Sequence, residues 1–249
     1  MSNNSDQPSV ERRQFIGGTL AAAGALTLAP GVILHAASDN NATSGASSEH
    51  RWGMLIDANK CAEGCSACVD ACNSEHGLTG YDRPETDAVW IRPVKLKDKQ
   101  TGHVNRLVMM CQHCEHPPCV DVCPTNASFK RIDGVVLVDR HRCIGCRYCM
   151  MACPYKARSF VHEALSDQSV NAPRGKGCVE SCTLCVHRID AGVMRTACQD
   201  ACDKEGHSAI VFGDLKDPNS EISQILVSQT SVQIRADLEL NTGVRYLNL

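Results

Sequence analysis

Aromatic side chains are scarce in these 249 residues: two Trp, four Tyr and four Phe. A chain of this length has room for one good-sized domain or two small ones, but few large side chains to fill a core. Some other device must help hold it together, and in small domains that device is commonly a disulfide or a metal. Positive charge is not in excess either. Lys and Arg number 25 against 28 Asp and Glu, a net charge of −3. That argues against a nucleic-acid partner, which would call for a basic patch. A Gly-rich phosphate loop is missing, as are a nucleophile–base constellation and a flavin or molybdenum motif. No active site of its own is therefore expected. Cysteine is absent before Cys61 and after Cys202.

Between those two positions stand all 17 cysteines. An odd number leaves one over in a purely intramolecular disulfide framework. Placement says more. The third group reads Cys143-x2-Cys146-x2-Cys149-x3-Cys153-Pro154, the bacterial ferredoxin run in which three thiolates take one cluster and the fourth reaches another. Three cysteines on a tight loop can each hold one iron of a cubane; the fourth lies a helical turn further on. Gly145 allows the backbone to approach closely. The second group repeats the plan with a longer third step: Cys111-x2-Cys114-x4-Cys119-x3-Cys123-Pro124. The first is Cys61-x3-Cys65-x2-Cys68-x3-Cys72, with Asn73 in place of proline. The fourth is Cys182-x2-Cys185-x12-Cys198-x3-Cys202, which taken alone would also suit a structural zinc site.

Crossed ligation makes the groups work in pairs. The second and third form a two-cluster ferredoxin module, with Cys111, Cys114, Cys119 and Cys153 as one set and Cys143, Cys146, Cys149 and Cys123 as the other. The first and fourth groups pair around it. Cys178 is left as a free thiol or small core residue. His113, His116 and His187 lie beside these cysteines, either as hydrogen-bond donors that tune potential or as solvent-facing loop residues. Arg147 and Lys156 either shape a docking surface or are solvated.

The flanking sequence predicts an α+β fold of tandem ferredoxin-like modules, two clusters in each, with a β-hairpin insertion. Short helices are expected at 69–76 and 147–152, and strands at 54–57, 135–139 and 159–162. The hairpin pairs 89–96 with 104–109 around a turn near Asp98–Gly102. Asp217-Pro218 reads as an N-cap and first helical residue opening a helix through Ile225. The apolar alternation of 243–249 is expected to pack on the domain or on a partner. Upstream, Arg12-Arg13 precedes a weakly apolar, glycine- and alanine-rich run from Ile16 to Leu34. This layout predicts a twin-arginine signal over residues 1–36 and a flexible linker over 37–50. The folded domain is then 51–249, with a central module near 105–162 and an outer module from 51–80 plus 176–212. Export would place the protein in the periplasm, held at the membrane by partner subunits.

The strings CQHCEHPPCVDVCP from Cys111, CIGCRYCMMACPY from Cys143 and CTLCVHRI from Cys182 resemble the iron–sulfur subunits of the dimethyl sulfoxide reductase family. The resemblance implies an electron-transfer subunit with four [4Fe–4S] clusters. It also implies the outer sets: Cys61, Cys65 and Cys68 with Cys202, and Cys182, Cys185 and Cys198 with Cys72. The opening RWGMLID, the three-residue step from Cys61 to Cys65 and the endings FGDLKDPNSEI and TGVRY are similar to the DsrO-type periplasmic subunits of membrane complexes tied to dissimilatory sulfite reductase. That narrower resemblance implies three kinds of partner: a polysulfide-reductase-type integral membrane quinone-interacting subunit, a periplasmic multihaem cytochrome c and further complex subunits. The alternative is a molybdopterin oxidoreductase acting on polysulfide, thiosulfate or tetrathionate, or a nitrite-reductase quinol system. Gly17 in the signal, Ser181 before Cys182 and the extra Cys178 depart from the usual pattern.

Overall fold

The computed structural model describes residues 46–166, 168 and 173–249. The expected signal, 1–36, and most of the expected linker lie outside the described residues. Two residues from the end of that linker already engage the folded body. The Ser48 carbonyl accepts from Lys216 Nζ at 2.6 Å, and His50 Nδ1 lies 2.7 Å from an Asp214 carboxylate oxygen.

The first strand, β1 (Trp52–Asp57), is a run of apolar residues that are almost all buried. Such a run suits a strand covered on both faces. Helix α1 (Ala67–His76) follows and stops at Gly77, whose φ of 63° suits the left-handed position that ends helices. The expected hairpin is present as β2 (Ile91–Lys97) and β3 (Val104–Met110), antiparallel with Ile91 opposite Met110. Its turn is held by the Asp98 carboxylate, which accepts from the N–H groups of Gln100 and Thr101 at 2.6 and 3.0 Å. Next come α2 (Pro118–Asp121), the short pair β4 (Ser128–Lys130) and β5 (Val136–Val138), and α3 (Tyr148–Ala152). A second short pair joins β6 (Ser159–Phe160) to β7 (Val179–Glu180). The chain then runs through α4 (Val186–Asp190), α5 (Ala197–Lys204), β8 (Ile210–Asp214), α6 (Glu221–Ser228), β9 (Ser231–Val232) and β10 (Val244–Leu247).

The largest sheet has the order β8-β1-β10-β9, with β1 antiparallel to β8 and parallel to β10. The 243–249 tail is thus an inner strand of the domain. The period-two rule divides the sheet between two cores. Met54, Ile56, Phe212, Val244 and Tyr246 face the cysteines, while Leu55 and Leu247 pack with Ile222 of α6. The Tyr246 hydroxyl, itself buried, donates to the Val108 carbonyl and accepts from Gln112 Nε2, tying this sheet to the hairpin.

Helix α6 begins later than expected. Its N-cap is Ser220, whose hydroxyl accepts from the N–H of Ser223. The Asp217 carboxylate is already engaged by the N–H of Asn219 at 2.9 Å, in a turn of its own. No helix among the described residues is long and apolar enough to cross a membrane.

One buried ion pair holds the end of α1 to β7. Arg174 and Glu180 expose 4% and 0% of their side chains, and Arg174 also donates to the Gly77 carbonyl at 2.8 Å. Replacing Glu180 by Gln would leave the guanidinium buried without its counter-ion, at a cost of about 3–5 kcal/mol. The expected outcome is a clear fall in the urea unfolding midpoint of the cluster-loaded protein. A midpoint within error of wild type would show that the pair does not hold this junction.

Candidate metal centres

The last two cysteines of every group are four residues apart. On a helix that spacing puts both on one face, about 6 Å apart along the axis. Cys68 and Cys72 lie this way on α1, and Cys198 and Cys202 on α5. The two helices pack on each other, so each of two adjoining spaces receives thiols from both. One of these spaces is a cavity walled by Cys61, Cys65, Cys68 and Cys202, closed by Ile56 and Val108. In the other, Cys182 has the thiols of Cys72, Cys198 and Cys185 as neighbours. Helices α2 and α3 also pack on each other in the middle of the chain, with Cys119 and Cys149 on them and Cys123 and Cys153 just past their ends. Cys123, Cys143, Cys146 and Cys149 wall a second cavity. Cys111, Cys119 and Cys153 are the neighbours of Cys114. Two of the expected sets thus wall cavities and in the other two the thiols are neighbours, while Cys68 also borders Cys72 and Cys198, and Cys119 borders Cys149. Cys178 belongs to none of the four groups but borders the third: it is buried, its Sγ donates to the Arg140 carbonyl at 3.3 Å, and the Cys143 thiol is its neighbour.

A shared backbone turn lies under all four groups. The residue just before the second cysteine is left-handed in each: Gly64 (φ 78°), His113 (43°), Gly145 (70°) and Leu184 (54°). Two of these are not glycine, and such residues cost about 1–2 kcal/mol in this region. The turn is therefore imposed by the loop and not by local preference. It also explains how the first group tolerates its longer opening step, because the turn is counted from the second cysteine.

Burial first, and neighbouring thiols second, raise most of these thiol pKa values. Cys68 is pushed up to about 12 by burial together with Cys202, Cys61 and Cys65. Burial and the charges of Cys198 and Cys185 likewise raise Cys72. Cys123 is the exception: burial pushes it up, but hydrogen bonds from Ser128 and Thr125 outweigh that and lower it. As thiolates, groups packed this closely need a compensating positive charge, such as bound iron provides. Among the described residues, no three His, Cys, Asp or Glu side chains converge closely enough for a single metal ion.

The surrounding donors fit an anionic cluster. The backbone N–H groups of Ser128, Ala209 and Val179 point at Cys123, Cys202 and Cys143, at 3.3, 3.2 and 3.5 Å. Arg158, 5% exposed, donates through Nη2 to Cys119 Sγ at 3.1 Å, while its Nε and Nη1 have no hydrogen-bond partner. A buried guanidinium left this way is costly unless negative charge sits beside it. An iron–sulfur cluster ligated by four thiolates would supply that charge.

The histidines divide. His116 is solvent-facing. His187 Nε2 lies 2.7 Å from Glu75 Oε1, in a network where Arg188 grips both Glu75 and Asp200. That network holds Glu75 down at about 2, Arg188 being the main cause, and it clamps α1 to α4 and α5. His113 is buried; its Nδ1 accepts from the N–H of Val136 at 3.0 Å, so the ring is neutral with the proton on Nε2. Burial and then Arg158 push its pKa down to about 3. Arg147 is exposed and lies over the Phe160 ring at 4.3 Å, and Lys156 is exposed. Two contacts escape the sequence: Arg158, and His76, whose Nε2 stands 3.6 Å from Cys185 Sγ under the Trp90 ring. Neither occupies a motif position, and only their burial marks them. A cavity of about 610 Å³ is lined by His50, Trp52, Arg131, Phe212 and Asp214, among others, with no cysteine in its wall.

Residues 103–214 match the 4Fe-4S dicluster domain. The chain is 44% identical over 227 residues to the Hdr-like menaquinol oxidoreductase iron-sulfur subunit 1 of Archaeoglobus fulgidus, across 81% of this chain and 84% of that protein. It is 37% identical over 182 residues to a subunit of the tetrathionate reductase of Salmonella typhimurium, across 72% of this chain and 64% of that protein. It is 36% identical over 189 residues to a component of the polysulfide reductase of Wolinella succinogenes, across 76% of this chain and 89% of that protein.

Proposed function

The protein belongs to the ferredoxin-type [4Fe–4S] iron–sulfur subunits of the dimethyl sulfoxide reductase/polysulfide reductase family, and on that premise we propose that it relays single electrons through four [4Fe–4S] clusters between a membrane quinone-interacting subunit and the other redox subunits of a respiratory complex. The observation that carries the count is that the sixteen cysteines meet as the four expected sets, two of which wall cavities. When bound, each cluster takes up and gives up one electron. The cysteines would hold it, the N–H groups aimed at their sulfurs would steady the ligands, and the apolar walls would keep water away.

The relative from Archaeoglobus fulgidus is, by its name, part of a menaquinol oxidoreductase, which supports menaquinol as the membrane electron carrier. A complex tied to dissimilatory sulfite reductase, with a multihaem cytochrome c, would use such a subunit. So would a molybdopterin oxidoreductase, and the tetrathionate and polysulfide relatives fit that setting equally well. The quinone-facing partner is common to both. The Arg12-Arg13 pair and the apolar run after it support export of the folded protein by the twin-arginine route to the periplasmic face. Cys146 is exposed, and Ile144, which lines the same cavity, is 66% exposed. This apolar rim is the proposed place of closest approach for a redox partner.

Anaerobically produced protein should contain about sixteen iron and about sixteen acid-labile sulfide per chain, with overlapping EPR signals from interacting reduced clusters. A count of about eight would leave only the central module filled, and the four-cluster reading would be lost.

A further inference from the structure

Arg158 follows the Cys153-Pro154 ending and precedes β6, and it points back among the thiols. Its Nη2 is 3.1 Å from Cys119 Sγ, it is also hydrogen-bonded to the thiol of Cys149, and Cys111 is a further neighbouring thiol. Cys111 and Cys119 belong to one central set and Cys149 to the other. The guanidinium therefore sits where the two central sites meet. Among the described residues no carboxylate ion-pairs with it, whereas the equally buried Arg174 has Glu180. A permanently charged group is not buried without a counter-charge at low cost. Among the described residues, the negative charge beside it would be that of the Cys119, Cys111 and Cys149 thiolates and of whatever they ligate.

We infer that Arg158 is a fixed counter-cation of the central cluster pair, and that it raises the reduction potential of the cluster held by Cys111, Cys114, Cys119 and Cys153. The inference rests on the iron–sulfur reading above. The reduced cluster carries one more negative charge than the oxidised one, so a cation held against its ligand favours the reduced state. When bound, the cluster would exchange a single electron. No bond forms or breaks, and the guanidinium keeps its proton throughout. Arg158 acts through Cys119 and is a positioning residue, not a ligand.

The test is a potentiometric EPR titration of the full cluster-loaded chain, in wild type, Arg158→Gln and Arg158→Lys, with iron and sulfide counted in each. With full iron, Arg158→Gln should lower one midpoint by a tenfold or greater fall in its reduction equilibrium, about 59 mV per tenfold for one electron. Arg158→Lys keeps the charge without the planar fork and should fall in between. Should the glutamine variant lose iron, the lysine variant decides: full iron with one midpoint lowered supports the inference. Full iron with every midpoint unmoved overturns it. Loss of iron from both variants alike also overturns it, since the role would then be structural. A wild-type count near eight would sink the four-cluster reading separately and leave this test standing, because the central pair is the one Arg158 touches.

Discussion

Cys202→Ser is expected to remove or convert one cluster and leave the central pair untouched. Cys202 stands on α5 and presents its thiol to the cavity of Cys61, Cys65 and Cys68. Cys198, one turn earlier on the same helix, belongs with Cys72, Cys182 and Cys185. The substitution therefore removes one wall of one site and none of its neighbour. Serine keeps the size but is a poor soft ligand, and the N–H of Ala209, now 3.2 Å from the sulfur, loses an anionic partner. Iron should fall from about sixteen by one, if the cluster survives with an open corner, or by four, if it is lost. Because cluster binding and folding are coupled, stability should fall by several kcal/mol as well. Iron analysis and EPR of the reduced protein read all of this. Loss of the central signals, with the outer ones intact, would mean that the thiols pair differently when loaded.

The cysteine groups are legible in the sequence because their spacing is a matter of covalent reach. Two residues between thiols make a loop and three make one turn of helix, whatever surrounds them. The shared left-handed turn is only half legible. Gly64 and Gly145 announce it, but His113 and Leu184 are held there by packing that no local pattern shows. The hairpin is readable because its contacts are near in sequence and Asp98 closes its own turn. The sheet is not, since β1 pairs with β10 across nearly the whole domain, and long-range pairing leaves no trace in either segment. Asp217 and Ser220 are both good caps, and only the hydrogen bond that Asp217 accepts from Asn219 decides between them. Arg158 has the most consequence and the weakest signal. In sequence it is one arginine among many, and its meaning comes from being buried without a carboxylate.

The same loops allow a sharper test, because two of the equivalent turns are glycines in very different surroundings. Gly145 has φ 70°, and a Cβ placed on it would lie 2.2 Å from the Gly177 carbonyl oxygen and 3.2 Å from the Phe160 ring. Gly64 has φ 78°, and a Cβ there would meet nothing within 4 Å. Alanine at either site carries the left-handed penalty of about 1–2 kcal/mol. Only at Gly145 must backbone move as well, adding roughly 1–3 kcal/mol of overpacking. The segment that would have to move contains Val179, whose N–H points at Cys143 Sγ, and Gly177, whose N–H is bonded to the Val161 carbonyl. Gly145→Ala should therefore open the site of Cys123, Cys143, Cys146 and Cys149. Iron should drop from about sixteen toward about twelve, and the unfolding midpoint should fall well below that of Gly64→Ala, which should keep its full iron. If both variants lost iron to the same extent, the close approach of Gly145 to Gly177 would not be what holds the third cysteine loop shut. The left-handed turn alone would then account for the glycine.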